Sequence, residues 1–570
     1  MAEKNILIDL LDVSELTYAE RLTANSLQGL ANRSGAHLYL EYGNYDDPGT
    51  RKTNSVQMTE EDWIGKYRDV LKRNDLDNLD HYVAEYDLEI HKLKDLLAGI
   101  FKYRDLLGGM VIWDPELLDS VNLALVYAGL QNLIVVHPDH VKIIQEHYSL
   151  EVKADLRGRF NNRVTLYQWM FENLFDQCTP GKVAHYEPTW QRAEFTDYIV
   201  QNKLYSYSLS CFKKGGLRSL GQKLLLLLVV GPLWLRNFLF TTHLDKLVRV
   251  KARVLLGLGS KETRLGTKIQ RSVKPLPYPT IFGWHTDRDD ELAFMLSISA
   301  NGLRLGPTFL ANNYSFHSQL PAKVAFKQHY LTHDNVELED KVYLTFTLSD
   351  GDQFTLMNTA EVGNWRMPEH GMVPFNWEVQ PLLVELAPAL LGYYYRNLTD
   401  ADMLIAGPSG AGYVIPPLVP DLPAYMRESA RLCDLADIRI TTSYTSNPPK
   451  RVIRDHAEVS GNFLGYLAGY FHLNHTPMTM AGKRPFVSYA WPHVGQIGLN
   501  ASETLAGIRK IVDVPGSEPR FIACHLFAYR TTVADVYHFV QSLDPQKVKV
   551  VRADEFLLAA EKFLLKERSS

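Results

Sequence analysis

The sequence predicts a two-part α/β protein, an open, parallel, Rossmann-like sheet domain followed by an irregular (β/α) barrel-like domain. Short apolar runs alternate with stretches of helical spacing through the first part. Strand-like runs that end in polar or aromatic residues repeat through the second half. Length supports the division, because 570 residues exceed what one hydrophobic core holds. The expected boundaries are 1–205 for the first domain, 206–275 for a connecting segment and 276–570 for the barrel-like domain.

In the first domain Asn5–Leu11, His37–Tyr42, Met110–Asp114 and Leu133–Pro138 read as strands. Tyr18–Asn32 and Asp119–Gly129 have helical spacing between them. No G-x-G-x-x-G opens either helix, so a dinucleotide site has no support and no cofactor is expected. The connecting segment is basic and leucine-rich. Between Cys211 and Lys274 it carries 14 Lys and Arg against two acids, a local charge of +12 within a chain of net charge -5. Overall attraction to nucleic acid is therefore not expected. The run Leu224–Leu235 falls short of the roughly 20 residues of a spanning helix. It reads as a buried helix kinked at Pro232, with an element resting on anionic lipid as the alternative. The start, MAEKNILIDLLDV, has no long apolar core, so a cytoplasmic protein or one exported with its leader removed is expected. Cys178, Cys211, Cys433 and Cys524 are scattered, which fits neither a disulfide framework nor zinc spacing.

The second domain repeats a strand followed by a polar or aromatic turn. Pro279–Trp284 leads to His285 and Asp287, and Val342–Leu348 to Ser349, Asp350, Gly351 and Asp352. Met403–Gly407 leads into GPSGAGYVIPP (Gly407–Pro417), and Ile438–Thr442 into Ser443 and Tyr444. Pro485–Trp491 leads to His493, Phe521–Phe527 to Tyr529, and Val548–Asp554 closes the series. Repeated units of this kind place a barrel's active face at the strand C-terminal ends, with an open doubly wound sheet as the alternative.

Asp350 and Asp352 are the leading acid candidates. Two carboxylates one residue apart repel, which separates their proton affinities and their roles. An Asp-Gly turn is the structural reading of the same residues. Trp284, Trp365, Trp377 and Trp491, with Tyr413 and Tyr444, stand at strand ends or in loops, where flat rings suit sugar faces as well as core packing. Gly410 and Gly412 shape the loop that carries Tyr413. His493 and His525 could join Asp350 and Asp352 around a divalent ion. A nucleophile elbow at Ser409 is disfavoured, since G-x-S-x-G requires glycine where Ala411 stands.

Several segments together resemble the GxGYxYP putative glycoside hydrolases of gut and soil bacteria. The signature is present as Gly410-Ala411-Gly412-Tyr413-Val414-Ile415-Pro416, with isoleucine at the sixth position in place of the second tyrosine. Ser349–Gln353, Pro374–Pro381, Gly392–Asn397 and Val550–Phe556 also resemble the family pattern. Ser26–Arg33 and Asp155–Phe160 resemble its separate N-terminal domain. The resemblance implies a carbohydrate substrate and a hydrolase using paired carboxylates. Asp350 and Asp352 would be the pair or half of it, with Glu378 and Asp287 as partners. Trp377, Trp491, Trp284, Tyr413, Gly410, Gly412 and His493 would line the sugar. A metal-dependent deacetylase using Asp350, Asp352, His493 and His525, and a noncatalytic glycan-binding scaffold, are the alternatives.

Overall fold

The computed structural model describes residues 6–42, 74–211, 260–286, 288, 291–308, 311–349, 354, 364–445, 448–459, 461–469, 478–490, 501–516, 519–527 and 531–569. Asp287, Asp350, Asp352, Trp491, His493 and the Leu224–Leu235 run lie outside the described residues. The chain divides into two compact units. The first is 1–55 with 75–321 and 418–420; the second is 56–74 with 322–417 and 421–570.

The first unit contains three small parallel sheets where the sequence suggests one. β1 (Ile6–Asp12), β2 (Leu38–Glu41) and β3 (Leu88–Lys92) lie in the order β2-β1-β3. β4 (Gly109–Ile112), β5 (Leu133–Val136) and β6 (Val152–Asp155) lie in the order β5-β4-β6. β7 (Lys182–His185), β8 (Tyr205–Tyr207), β9 (Thr280–Gly283) and β10 (Arg304–Pro307) form the third, in the order β10-β9-β7-β8. β9 is thus a strand of the first unit, paired in parallel with β7 and not with the barrel-like sheet to which its turn-rich end pointed. Both expected helices form. Tyr18–Ala31 is started by a capping box between Thr17 and Glu20, which satisfies backbone donors that would otherwise be orphaned. Ser120–Gln131 is buried on nearly every side and stops at Asn132 in the left-handed region, φ 59°.

The second unit is a curled, half-barrel sheet. Its strands are β11 (Val342–Ser349), β12 (Phe375–Val379), β13 (Asp402–Ala406), β14 (Ile440–Ser443) and β15 (Gly465–Ala468). They continue with β16 (Met478–Ala481), β17 (Arg484–Ser488), β18 (Arg520–Phe527) and β19 (Val548–Val550). The order is β16-β17-β15-β14-β13-β12-β11-β18, and β16–β17 is the antiparallel pair in it. β11 pairs along its length with β18, and at its start with β19. The curl brings the end of β17 to β18, where the Ala490 amide donates to the Ala523 carbonyl at 2.8 Å. Among the described residues, no helix is long and apolar enough to cross a membrane.

Alternation along each strand divides the inner face into two layers. The lower layer is apolar. Tyr343, Met403, Ile405, Ile440, Leu467, Val487, Phe521 and Ala523 pack with Val551, Ala553, Phe556 and Leu557 at the start of the final helix, Ala553–Ser569. Continuing each strand in the same parity gives Thr347 and Ser349, Glu378, Thr442 and Tyr444, Tyr489 and His525. The upper layer is therefore polar and aromatic, and it sits at the C-terminal ends of the strands.

Candidate active site

Among the described residues, Glu378 is the carboxylate of that upper layer, and its side chain is fully buried. Ser349 Oγ, from the end of β11, donates to Glu378 Oε1 at 2.6 Å. Tyr444 OH, just past β14, donates to the same oxygen at 3.2 Å and lies 3.3 Å from Ser349 Oγ. Parallel pairing sets this geometry, because the chain register puts Glu378 beside Ile405 and Thr347 beside Asn376. Residues distant in sequence thereby meet at one level.

The signature loop begins against this carboxylate. A Cβ added at Gly407 would lie 2.0 Å from Glu378 Cδ, so only glycine leaves room for the side chain. Gln380 ties the two segments together. Its Nε2 donates to the Gly407 carbonyl at 3.1 Å, and its Oε1 accepts the Gly412 amide at 2.6 Å. Ser409 is buried with φ 65°. Its Oγ donates to the Val414 carbonyl at 2.9 Å and accepts the Tyr444 amide at 2.8 Å. Tyr425 OH spans the loop, its one proton shared between the carbonyls of Ser409 and Gly412 at 2.8 and 2.6 Å. Ser409 is thus a loop fastener, in keeping with the absence of a nucleophile elbow. Gly410, at φ 111°, adopts backbone that side chains other than glycine rarely take.

The rings around Glu378 interlock. Tyr413 meets Tyr444 edge to face at 5.2 Å, and His525 packs against Tyr444 at 6.4 Å and Tyr489 at 5.4 Å. Burial holds the His525 imidazole neutral, lowering its pKa to about 3. Burial first, and then the charge of Glu378, pushes the Tyr489 phenol well above its ordinary range.

The other expected site residues fall elsewhere. Trp377 alternates with Glu378 and points to the opposite face, where it is buried between Trp365 and Phe375 at 4.8 and 4.9 Å. Its Nε1 donates to Asp402 Oδ1 at 2.9 Å. Trp284 follows β9 in the first unit. Asp350 follows directly on Ser349 in the chain, outside the described residues. Ser349, Gln380, Tyr425 and Tyr489 were not singled out as site residues by sequence reasoning. Strand parity propagated through the pairing register from Glu378 finds Ser349, Gln380 and Tyr489, whereas Tyr425 sits on the helix Leu422–Leu435 and carries no such signal. Among the described residues, no group of three or more His, Cys, Asp or Glu is arranged to hold a metal ion.

Comparison with known proteins agrees with the signature. The sequence matches the GxGYxYP putative glycoside hydrolase C-terminal domain over residues 340–560, and the second domain of the GxGYxYP N-terminal region over residues 107–178. The chain belongs to the GxGYxYP family. The crystal structure of a putative hydrolase from Bacteroides thetaiotaomicron shares the fold, with a TM-score of 0.74 and 18% sequence identity over 98% of this chain and 95% of that one. Among curated proteins no relative matches.

Proposed function

We propose that the chain is a glycoside hydrolase, with the sugar bound over the C-terminal strand ends of an irregular (β/α) barrel and Glu378 as one of two working carboxylates. The observation that carries this is the placement of Glu378: buried at the end of an inner strand, oriented by two hydroxyls, and given room by Gly407 of the signature loop. Strand C-terminal ends are where barrel folds collect reacting groups. The second carboxylate is assigned to Asp350 or Asp352, which the chain carries directly after Ser349.

Glycosidic cleavage needs both groups. One carboxyl protonates the leaving oxygen, and the other attacks the anomeric carbon or takes a proton from the attacking water. A hydroxyl both donates and accepts, so Ser349 and Tyr444 can stay bonded to Glu378 through proton gain and loss. Tyr413 and Tyr444, both buried, pack edge to face beside it and form the apolar wall of the site.

The test is release of new reducing ends from a panel of plant, microbial and host polysaccharides and their oligosaccharides. Cleavage of at least one glycan class is expected. Binding without cleavage across the panel would replace this reading with a glycan-binding scaffold, and release of acetate alone would replace it with a deacetylase.

A further inference from the structure

The first unit holds a second cluster of charged and aromatic residues, unrelated to Glu378. In the sheet ordered β10-β9-β7-β8, the chain leaves β7 for β8 on one side and returns to β9 on the other. In open parallel sheets that reversal opens a crevice at the C-terminal strand ends, where ligands bind. Glu187 and Trp190 follow β7, Ser208 follows β8, and Trp284, His285 and Arg288 follow β9.

Three carboxylates and two guanidiniums converge there. Asp119, Glu187 and Glu262 are 3, 5 and 2% exposed. The Arg163 and Arg288 side chains remain 25 and 20% exposed. Arg288 NH1 lies 3.4 Å from Glu187 Oε2, and Arg163 Nε lies 3.3 Å from Asp119 Oδ2. Both guanidiniums also flank one oxygen, Glu262 Oε1, at 3.7 and 3.9 Å. Ser208 Oγ completes the support by donating to Glu187 Oε2 at 2.7 Å. The acids thus lie deeper than the arginines, whose side chains keep part of their exposure and can meet a ligand. Trp190 and Trp284, both half-buried, flank the ring of His285 at 5.3 and 6.1 Å. Buried ion networks of this kind contribute little to stability, which favours a functional reason for keeping one.

We propose that this crevice binds an anionic sugar unit, its carboxylate or phosphate held by Arg163 and Arg288 and its apolar ring face against Trp190 and Trp284. Paired guanidiniums match the geometry of an oxyanion, and tryptophan faces suit the C–H face of a pyranose. The cluster belongs to the first unit and Glu378 to the second, and the cluster takes its ligand whether or not Glu378 works.

Calorimetric titration of the full-length protein with D-glucuronate, D-glucose 6-phosphate and D-glucose tests this. At least one anion is expected to bind with a Kd below about 1 mM, more weakly as salt rises, and glucose at least tenfold more weakly. Which anion binds tells carboxylate from phosphate recognition. Arg288→Met should weaken binding at least tenfold, as should Trp284→Ala, which leaves the ion network intact should Arg288→Met not fold. Glu378→Gln should bind as the unmodified protein does. The proposal is overturned if neither anion binds, if glucose binds equally well, if Trp284→Ala binds normally, or if Glu378→Gln abolishes binding.

Discussion

In the first unit Asp119, Glu187 and Glu262 are buried against Arg163 and Arg288; in the second Glu378 is buried against the hydroxyls of Ser349 and Tyr444. The two solutions to burying a carboxylate have different consequences. A guanidinium only donates and keeps its charge, so it holds its partners in one hydrogen-bonding role. A hydroxyl can reverse its role when the carboxyl changes protonation. The first centre is therefore suited to holding a charged ligand, and the second to moving a proton.

Acid should separate the two units most strongly. Burial lowers the pKa of His456 to about 4 and of His525 to about 3, both in the second unit. Such a histidine takes up its proton only on unfolding. Its contribution is complete above the unfolded value near 6.5 and is lost as pH falls toward the folded one. His317, at about 3, does the same in the first unit, but there Asp197, raised by burial to about 6, opposes it. A carboxyl raised in the folded state stabilises at low pH and loses that contribution as pH rises from 3.8 through about 6. Each unmatched proton is worth about 1.4 kcal/mol per pH unit. Hydrogen exchange at pH 7 and pH 5 should show amides of β17 and β18 losing protection before those of β7 and β9. Equal loss in both units would contradict the contrast.

Next in size is Gly407→Ala, which places a methyl group inside the Glu378 carboxyl. A loss of about 3 kcal/mol or more is expected, read from a lowered denaturation midpoint. Wild-type stability would mean that Glu378 does not occupy this position. Arg288→Met should cost about 2 kcal/mol, because Glu187 and Glu262 lose a shared guanidinium that is itself partly exposed. Tyr444→Phe should cost least, about 1 kcal/mol for the lost hydrogen bond. It should also slow turnover about tenfold while leaving glycan binding nearly intact, and an unchanged rate would remove Tyr444 from the site.

Much of this was legible in the chain. β11, β13, β14, β17 and β18 announce themselves as apolar, β-branched runs, and the signature loop as a glycine-rich turn beyond one of them. β12 does not, because buried Asn376 and Glu378 break the apolar run in FNWEV. Trp377 is misleading for a related reason. Its composition suggests a sugar platform, but period-two alternation turns it from Glu378 and into the Trp365 cluster. β9 resembles the barrel-like strands locally, yet sheet membership is decided by pairing with β7, nearly a hundred residues earlier. Glu378 meets Ser349 and Tyr444 across 29 and 66 residues, a convergence that only the register reveals.

The most direct measurement is turnover of Glu378→Gln on a glycan that the unmodified protein cleaves, with its melting temperature as the control for folding. The substitution keeps shape and hydrogen-bonding capacity while removing the exchangeable carboxyl. A fall in kcat of about a thousandfold, within the range expected for a lost acid or base, at an essentially unchanged melting temperature is the predicted result. Retention of more than a tenth of the rate would contradict the account and leave Glu378 as a buried fastener of the signature loop.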